Sequence, residues 1–369
     1  MTSDVDQQSD AVAKMARRWP MIDALVGGTG AMRDAGKAFL PQFPAEPDDA
    51  YRTRLSTATL FPVFSRTADV LAAKPMSKAI GLAEVPPQVA ALLDDVDGEG
   101  SPLHAFSTGL LLGCLQYGLA GVLVDYPPVA GARTRADEAA VGARPYFAAY
   151  QASAILGWRA SRGKLEQLRL LETVSEADGP FGTVAVSQVR VLTPGAWQVW
   201  RNLRQADGRP HWAVYQEGTT TLDVIPFVFF YGIREGFGVG RPPLTDLAFL
   251  NIEHWQSSSD QQTILHTARV PILFAKGLSD TDPIIFGAST AIKTSSESAD
   301  VKFVEHSGAA IAAGRQSLLD LEDRMRQAGA ELLVQQPVQV TATQMVSEGE
   351  GSRSVLQRIV ETFEACLSG

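Results

Sequence analysis

Cysteine is nearly absent from this chain. Cys114 and Cys366 are the only two in 369 residues. They are too few for a disulfide framework and too far apart for a zinc spacing, which points to a reducing compartment. Positive charge is also short: 32 Lys and Arg stand against 41 Asp and Glu, a net charge of −9 and a pI near 5.2. A protein that grips nucleic acid needs a basic face, because its affinity comes largely from counterion release at phosphates. The deficit excludes such a grip, yet it suits DNA that passes by without sticking. The opening MTSDVDQQSD is polar and acidic, unlike a secretory signal peptide.

Long uncharged runs are scarce too, with one exception. Residues 105–124, AFSTGLLLGCLQYGLAGVLV, carry no charge and include a GxxxG at Gly109 and Gly113. The length would suit a bilayer. However, Gln116, Gly118 and Gly121 interrupt the pattern, and GVLVDYPP reads as a buried strand entering a turn. The expectation is a core helix followed by a strand, with no membrane span.

Catalytic signatures are missing. Gly27-Gly28-Thr29-Gly30 with Gly36-Lys37 imitates a phosphate loop, but Ala31 stands where a glycine is required and Ala38 replaces the magnesium-holding hydroxyl. GFGVG at 236–240 precedes Arg241-Pro242-Pro243 instead of a helix, so it reads as a flexible connector and not a dinucleotide fingerprint. The five histidines are His104, His211, His254, His266 and His306. In Glu253-His254 and Glu305-His306 adjacent side chains diverge, so neither pair is a metal site. Ser257, Ser258 and Ser259 sit in no nucleophile elbow. Asp125 ends a strand at a Pro-rich turn, where it would anchor the alternative reading, a soluble α/β enzyme. No catalytic residue, metal or cofactor is assigned.

Against these absences stands a mixed α+β pattern. With 45% hydrophobic and 20% charged residues, the chain can bury a substantial core in two or three domains. Residues 1–40 read as helical after a polar start. A helix from Asp48 carries a stripe of Tyr51, Leu55, Ala58 and Phe61, with Arg52 and Arg54 off it on a solvated face or subunit contact. Strands are predicted at 121–125, 145–150, 168–174, 184–192, 196–201, 212–216 and 226–230, as an antiparallel meander. Turns fall at Asp178-Gly179-Pro180 and Asp207-Gly208. Trp158, Trp197, Trp200 and Trp212 are expected as core anchors.

Residues 250–334 are the most regular part. A helix over 244–266 has a polar, small-residue centre, QSSSDQQ, better suited to neighbouring helices or a wet surface than to a private core. Short strands follow at 270–275, 283–286 and 301–304. In the second helix Ile311, Gly314, Leu318, Leu321, Met325, Ala328 and Leu332 step by three and four, the packing stripe of paired helices. Pro337 stops it. From 327 to 352 there is no Lys or Arg.

These segments resemble phage portal proteins, specifically a portal-like family first catalogued as a domain of unknown function in tailed phages and prophages. The resemblance is carried by Tyr51-Arg52-x-Arg54-Leu55, GVLVDYP from Gly121 and RPYFAAYQASAILGW from Arg144. LNIEHWQSSSDQQTILHTARVPILFAKG from Leu250 and KFVEHSGAAIAAGRQSLLDLEDRMRQAGAELL from Lys302 are more specific. It implies a portal fold. Residues 1–240 would be the wing, 241–268 and 308–334 the two stem helices, and 269–307 the clip. Residues 335–352 would be a tunnel loop and 353–369 the start of a crown-side helical segment. Stem packing would rest on Ile311, Leu318, Leu321, Met325 and Leu332. The tunnel loop would face DNA through Gln335, Gln336, Val338, Gln339, Thr341 and Thr343, and clip docking would use Lys276, Asp280, Asp282 and Lys293.

A portal is a homo-oligomeric ring of about a dozen subunits at one capsid vertex. Implied partners are the terminase large subunit, head-completion adaptors, capsid and scaffold proteins, and duplex DNA in the channel held without tight binding; no membrane is involved. Implied locations are the virion and, during assembly, the host cytoplasm. A different head–tail joining protein is a further alternative.

Overall fold

The computed structural model describes residues 5–82, 85–127, 143–204, 210–268, 272–276, 300–304, 308–333 and 354–367. Three short helices open the chain: α1 (Asp10–Ala16), α2 (Trp19–Val26) and α3 (Gly28–Ala35). The Ser9 hydroxyl caps α1 by accepting from the Val12 amide, and Pro20 sits in the first turn of α2, where its missing N–H costs nothing. Gly28, at φ +75°, lets the chain turn from α2 into α3, so GGTG is a helix joint. Then come α4 (Asp48–Thr57), α5 (Val63–Ala73), the single-turn α6 (Pro87–Ala90) and α7 (Leu103–Tyr117). Since α4 stops at Thr57, Ala58 and Phe61 lie in its outgoing link and not on its stripe.

The uncharged run folds as expected. α7 ends at Gly118 in the left-handed conformation, and β1 (Leu119–Asp125) follows at once. Among the described residues no helix is long and apolar enough to cross a membrane.

β1 is the middle strand of a three-stranded antiparallel sheet, between β2 (Tyr146–Gln151) and β8 (Phe227–Tyr231). Its period-2 alternation supplies two cores at once. Ala120, Val122 and Phe230 face the larger one, with Leu25, Phe64, Leu71, Leu111 and Leu115 from the helices. Leu119, Leu123, Phe227, Phe229 and Tyr231 face the other, where α1 and the second sheet close over them.

That second sheet is a five-stranded meander in sequence order: β3 (Ile155–Ser161), β4 (Lys164–Asp178), β5 (Gly182–Thr193), β6 (Ala196–Arg204) and β7 (Pro210–Thr219). The expected meander thus holds for four of its seven strands, with β3 as an additional one; those at 121–125, 145–150 and 226–230 instead form the separate three-stranded sheet, in the order β2-β1-β8. The β3–β4 hairpin turns at Arg162 and Gly163, at φ +49° and +79°. The turn at Asp178–Gly182 lies where Asp-Gly-Pro placed it; that at Asp207-Gly208 lies outside the described residues. The four tryptophans expected as core anchors are only half-buried on this sheet, while Trp19 and Trp255 are the buried pair. Only Trp158 of the four meets a core ring edge-on, 5.3 Å from Phe229.

The glycine-rich connector is corrected outright. Residues 233–241 form a hairpin, β9 (Ile233–Gly236) and β10 (Val239–Arg241), with no hinge character. The Gly238 amide donates to the Tyr231 hydroxyl at 2.9 Å, and a Cβ on Gly238 would lie 2.5 Å from the Trp158 ring. One on Gly240 would meet the Gly118 carbonyl oxygen at 2.0 Å. These glycines exist for close backbone approach, not flexibility.

Candidate functional site

The last elements are α8 (Thr245–Ala268), a two-stranded ribbon β11 (Ile272–Lys276) and β12 (Asp300–Val304), α9 (Ala309–Glu331), and α10 (Val355–Leu367). α8 and α9 run antiparallel. Gln261 donates to the Ile311 carbonyl at 3.0 Å, His254 Nε2 lies 3.7 Å from Glu322 Oε1, and Arg324 pairs with Glu253 at 3.3 Å. The partner of each successive α8 residue thus moves backward along α9. At one end the ladder of β11 and β12 continues the pair, from Ile272↔Val304 to Lys276↔Asp300.

The other end is rooted in the larger core. Leu247, Ala248 and Trp255 from α8 and Met325 and Leu332 around α9 belong to the same buried cluster as α5 and α7. Asn251 locks this root. Fully buried, its carbonyl oxygen accepts from the Phe64 amide and its amide donates to the Phe61 carbonyl, each at 2.9 Å, closing the first turn of α5. Such a doubly paired buried amide replaces the bonds it lost to water.

The five stem-packing residues divide along this axis. Leu321, Met325 and Leu332 are buried, whereas Ile311 and Leu318 are half-buried toward the ribbon. Gly314 lets the helices approach, since a Cβ there would fall 2.1 Å from the Gln261 amide oxygen. Several large apolar side chains on the pair remain open: Phe249 is 59% exposed, Leu319 43% and Ile264 40%.

The polar centre of α8 is not left over for a neighbour. Gln256 donates to the Phe39 carbonyl, Ser259 and Gln261 are buried within the chain, and Asp260 lies 3.6 Å from Arg54. Arg54 also departs from expectation. Its side chain is 3% exposed, held by Glu46 at 2.8 and 2.9 Å and by the Pro41 carbonyl at 2.7 Å, with the Phe43 ring 4.2 Å from its guanidinium carbon. Arg52 is solvated and paired with Asp49 one turn back. The helical pattern gave both arginines the same face class; the 41–46 loop folds over one of them.

The Arg54 hydrogen bonds hold the Glu46 carboxyl below its ordinary range, against a smaller opposing effect of burial. A carboxylate whose native pKa is lowered stabilises the fold above the ordinary carboxylate pKa, and this is lost as pH falls through the native value. Glu46→Ala leaves a buried guanidinium short of its partner and should lower unfolding free energy by about 3 kcal/mol near neutral pH. Denaturant titrations at pH 7 and pH 3 check this, and the difference between wild type and variant should shrink at the lower pH.

His254 is buried against Phe61, its ring centre 5.4 Å away. Burial lowers its pKa, with Glu322 opposing. It serves the helix pair as a packed neutral ring. Among the described residues no three His, Cys, Asp or Glu side chains come together to hold a metal.

Asp125, the anchor of the alternative enzyme reading, sits in a network bridging the two sheets. Arg190 reaches Asp125 at 2.5 Å and Glu172 at 2.8 Å, Tyr146 donates to Asp125 at 3.1 Å, and Tyr150 donates to Glu172 at 2.6 Å. Gln188 joins Glu172, and Arg201 joins Gln188 and Glu176. Burial, then Asp125, pushes the Tyr146 hydroxyl up to about 12. Asp125 and Glu172 share Arg190, and Glu176 pairs with Arg201, so this arrangement ties the two sheets together.

α10 was expected to open a crown-side region. It turns an amphipathic face inward: Leu356, Ile359 and Phe363 are buried, and the Phe363 ring lies tilted 4.9 Å from Phe230. The Leu356 amide donates to the Leu332 carbonyl at 3.0 Å, so the chain returns to the point where α9 ended. Gln335, Gln336, Val338, Gln339, Thr341 and Thr343 lie outside the described residues, as do Asp280, Asp282, Lys293 and the strand expected at 283–286. Lys276 is exposed at the end of β11.

Residues 243–368, which hold α8 through α10, match a family described as a domain of unknown function, DUF4055. No curated protein matches the chain. One similar solved chain comes from the virion of a native gene transfer agent particle, at 13% identity and a TM-score of 0.39, covering 80% of this chain and 72% of that one. Another comes from the neck of an empty gene transfer agent particle, at 13% identity and a TM-score of 0.40, covering 85% and 75%.

Proposed function

We propose that this chain is a portal, a ring-forming component of a phage-like particle through which DNA is packaged and later ejected. The observation that carries the reading is the antiparallel α8–α9 pair. It is rooted in the core through Trp255 and Met325 and carries a β ribbon at its far end. Such a shape is a projecting strut, and its exposed Phe249, Ile264 and Leu319 suit neighbours of the same kind.

In this reading residues 1–240 form the wing, 241–268 and 308–334 the stem, and 269–307 the clip. Lys276, Asp280, Asp282 and Lys293 would meet the terminase during packaging and adaptors afterwards. The stretch 335–352 faces the channel. Its lack of Lys and Arg suits contact with a moving duplex, because each lysine against a phosphate would add a bond to break before every step. Residues 353–369 lie on the crown side, close against the wing core. Packaging energy would come from the separate terminase.

Light scattering and negative-stain imaging of the purified chain test this directly. The expected result is a ring of about a dozen subunits with an open centre and negligible affinity for free duplex DNA. A heat-stable monomer at micromolar concentration would remove the reading.

A further inference from the structure

The five-stranded sheet is uneven. β4 and β5 pair continuously from Leu168↔Leu192 to Asp178↔Gly182. β3 flanks β4 only as far as Leu170, and β6 flanks β5 only from Gln188. Residues 173–187 therefore leave the sheet as a two-stranded arm, with no further strand pairing either edge among the described residues. An isolated hairpin is marginal in water, and bare edges invite another chain. At its tip Phe181 is 100% exposed, and Val184 is 45% exposed on its flank. The arm has no Lys or Arg; Glu172 and Glu176 tie its root to Arg190 and Arg201, and Asp178 is the carboxylate at its tip.

At the base of the same sheet is a groove of about 510 Å³, lined among others by Trp158, Arg159, Arg169, Trp200, His211 and Trp212. It offers half-buried indole faces beside the exposed Arg159 and beside Arg169, which donates to the Val5 carbonyl at 2.8 Å. A tip of Phe181 and Asp178 matches a groove of indole walls with Arg159 at its side in both apolarity and charge. The two cannot meet within one chain. From Arg169 to Asp178 the unbroken ladder spans about 30 Å, at ~3.3 Å per residue.

We infer that the arm of one copy docks in the groove of the next, with Phe181 against the tryptophans and Asp178 beside Arg159. This contact joins unlike surfaces of identical chains, so its repetition makes a closed ring or an open filament. The inference rests on the ring reading above and assigns it a specific contact outside the helix pair.

Phe181→Asp and Arg159→Glu, made separately in the full chain, test it. Both side chains are exposed, so each variant should melt as the wild type does. Each should raise the concentration of half-assembly by about tenfold or more, equivalent to about 1.4 kcal/mol. An equimolar mixture should recover dimers, because one intact arm–groove contact remains per pair. Variants that assemble as the wild type does would overturn the arm contact and leave the ring standing. A wild-type chain that never assembles would remove ring and arm together. Normal rings that fail to enter particles would assign the arm to another virion protein and overturn a second copy as its partner.

Discussion

Leu321→Asp should separate α8 from α9 and abolish ring formation. Leu321 is 2% exposed in the middle of the helix contact, one turn before the fully buried Met325. The substitution removes a buried isobutyl group and leaves a carboxylate without a partner. The first loss alone is worth about 2–5 kcal/mol, and the unpaired charge adds several more. Its neighbours Asp320, Glu322 and Asp323 worsen the cost by like-charge repulsion. Denaturant unfolding should show a loss of at least about 4 kcal/mol, and scattering should show no large assembly. Leu321→Ala should fall nearer 3 kcal/mol and retain a weakened assembly. Intact rings from the Asp variant would mean that this stripe does not hold the pair.

Gly118→Ala should be nearly as damaging, for a backbone reason. Gly118 sits at φ +85° as the C-cap of α7, a conformation costly for any side chain. An added Cβ would also stand 2.5 Å from the Arg241 carbonyl carbon and the Pro242 nitrogen, neither of which can swing aside. Strain and overpacking together predict a loss of about 3–5 kcal/mol, read as a large drop in Tm. Gly98→Ala is the control. Gly98 shares the positive φ, at +79°, but nothing lies within 4 Å of its Cβ position. It should cost about 1 kcal/mol, the conformational part alone. Equal effects at both positions would show that the close approach of β10 to Gly118 does not matter.

Much of the fold was legible because local chemistry and global structure agree there. The uncharged run reads as helix, glycine stop and strand, since left-handed backbone at Gly118 serves both the helix end and the sheet start. The meander follows from β-branched alternation with Asp-Gly and related turns, which act within a few residues. In α9 the three–four spacing marked Leu321, Met325 and Leu332, and all three are buried.

What was not legible depends on groups far apart in sequence. Arg52 and Arg54 are two residues apart on one helix, and only the return of the 41–46 loop makes one solvent-exposed and the other buried. Asp125 gained Arg190 across 65 positions. The glycines of 236–240 look like a hinge by composition, yet Trp158, Tyr231 and Gly118 press against them. Side-chain orientation on the meander, which leaves four tryptophans half-covered and creates the aromatic groove, was equally hidden.

Within the described residues, then, the sequence by itself determined most helices, the longer meander strands and the apolar stripe, but not β3 or the β9–β10 hairpin, because hydrophobic period, capping and turn chemistry operate over one or two turns of chain. Tertiary structure alone decided which polar groups are buried and paired, where backbones touch, and that α10 folds back onto β8. Those outcomes depend on desolvation and close packing between segments tens to hundreds of residues apart, which no local pattern encodes.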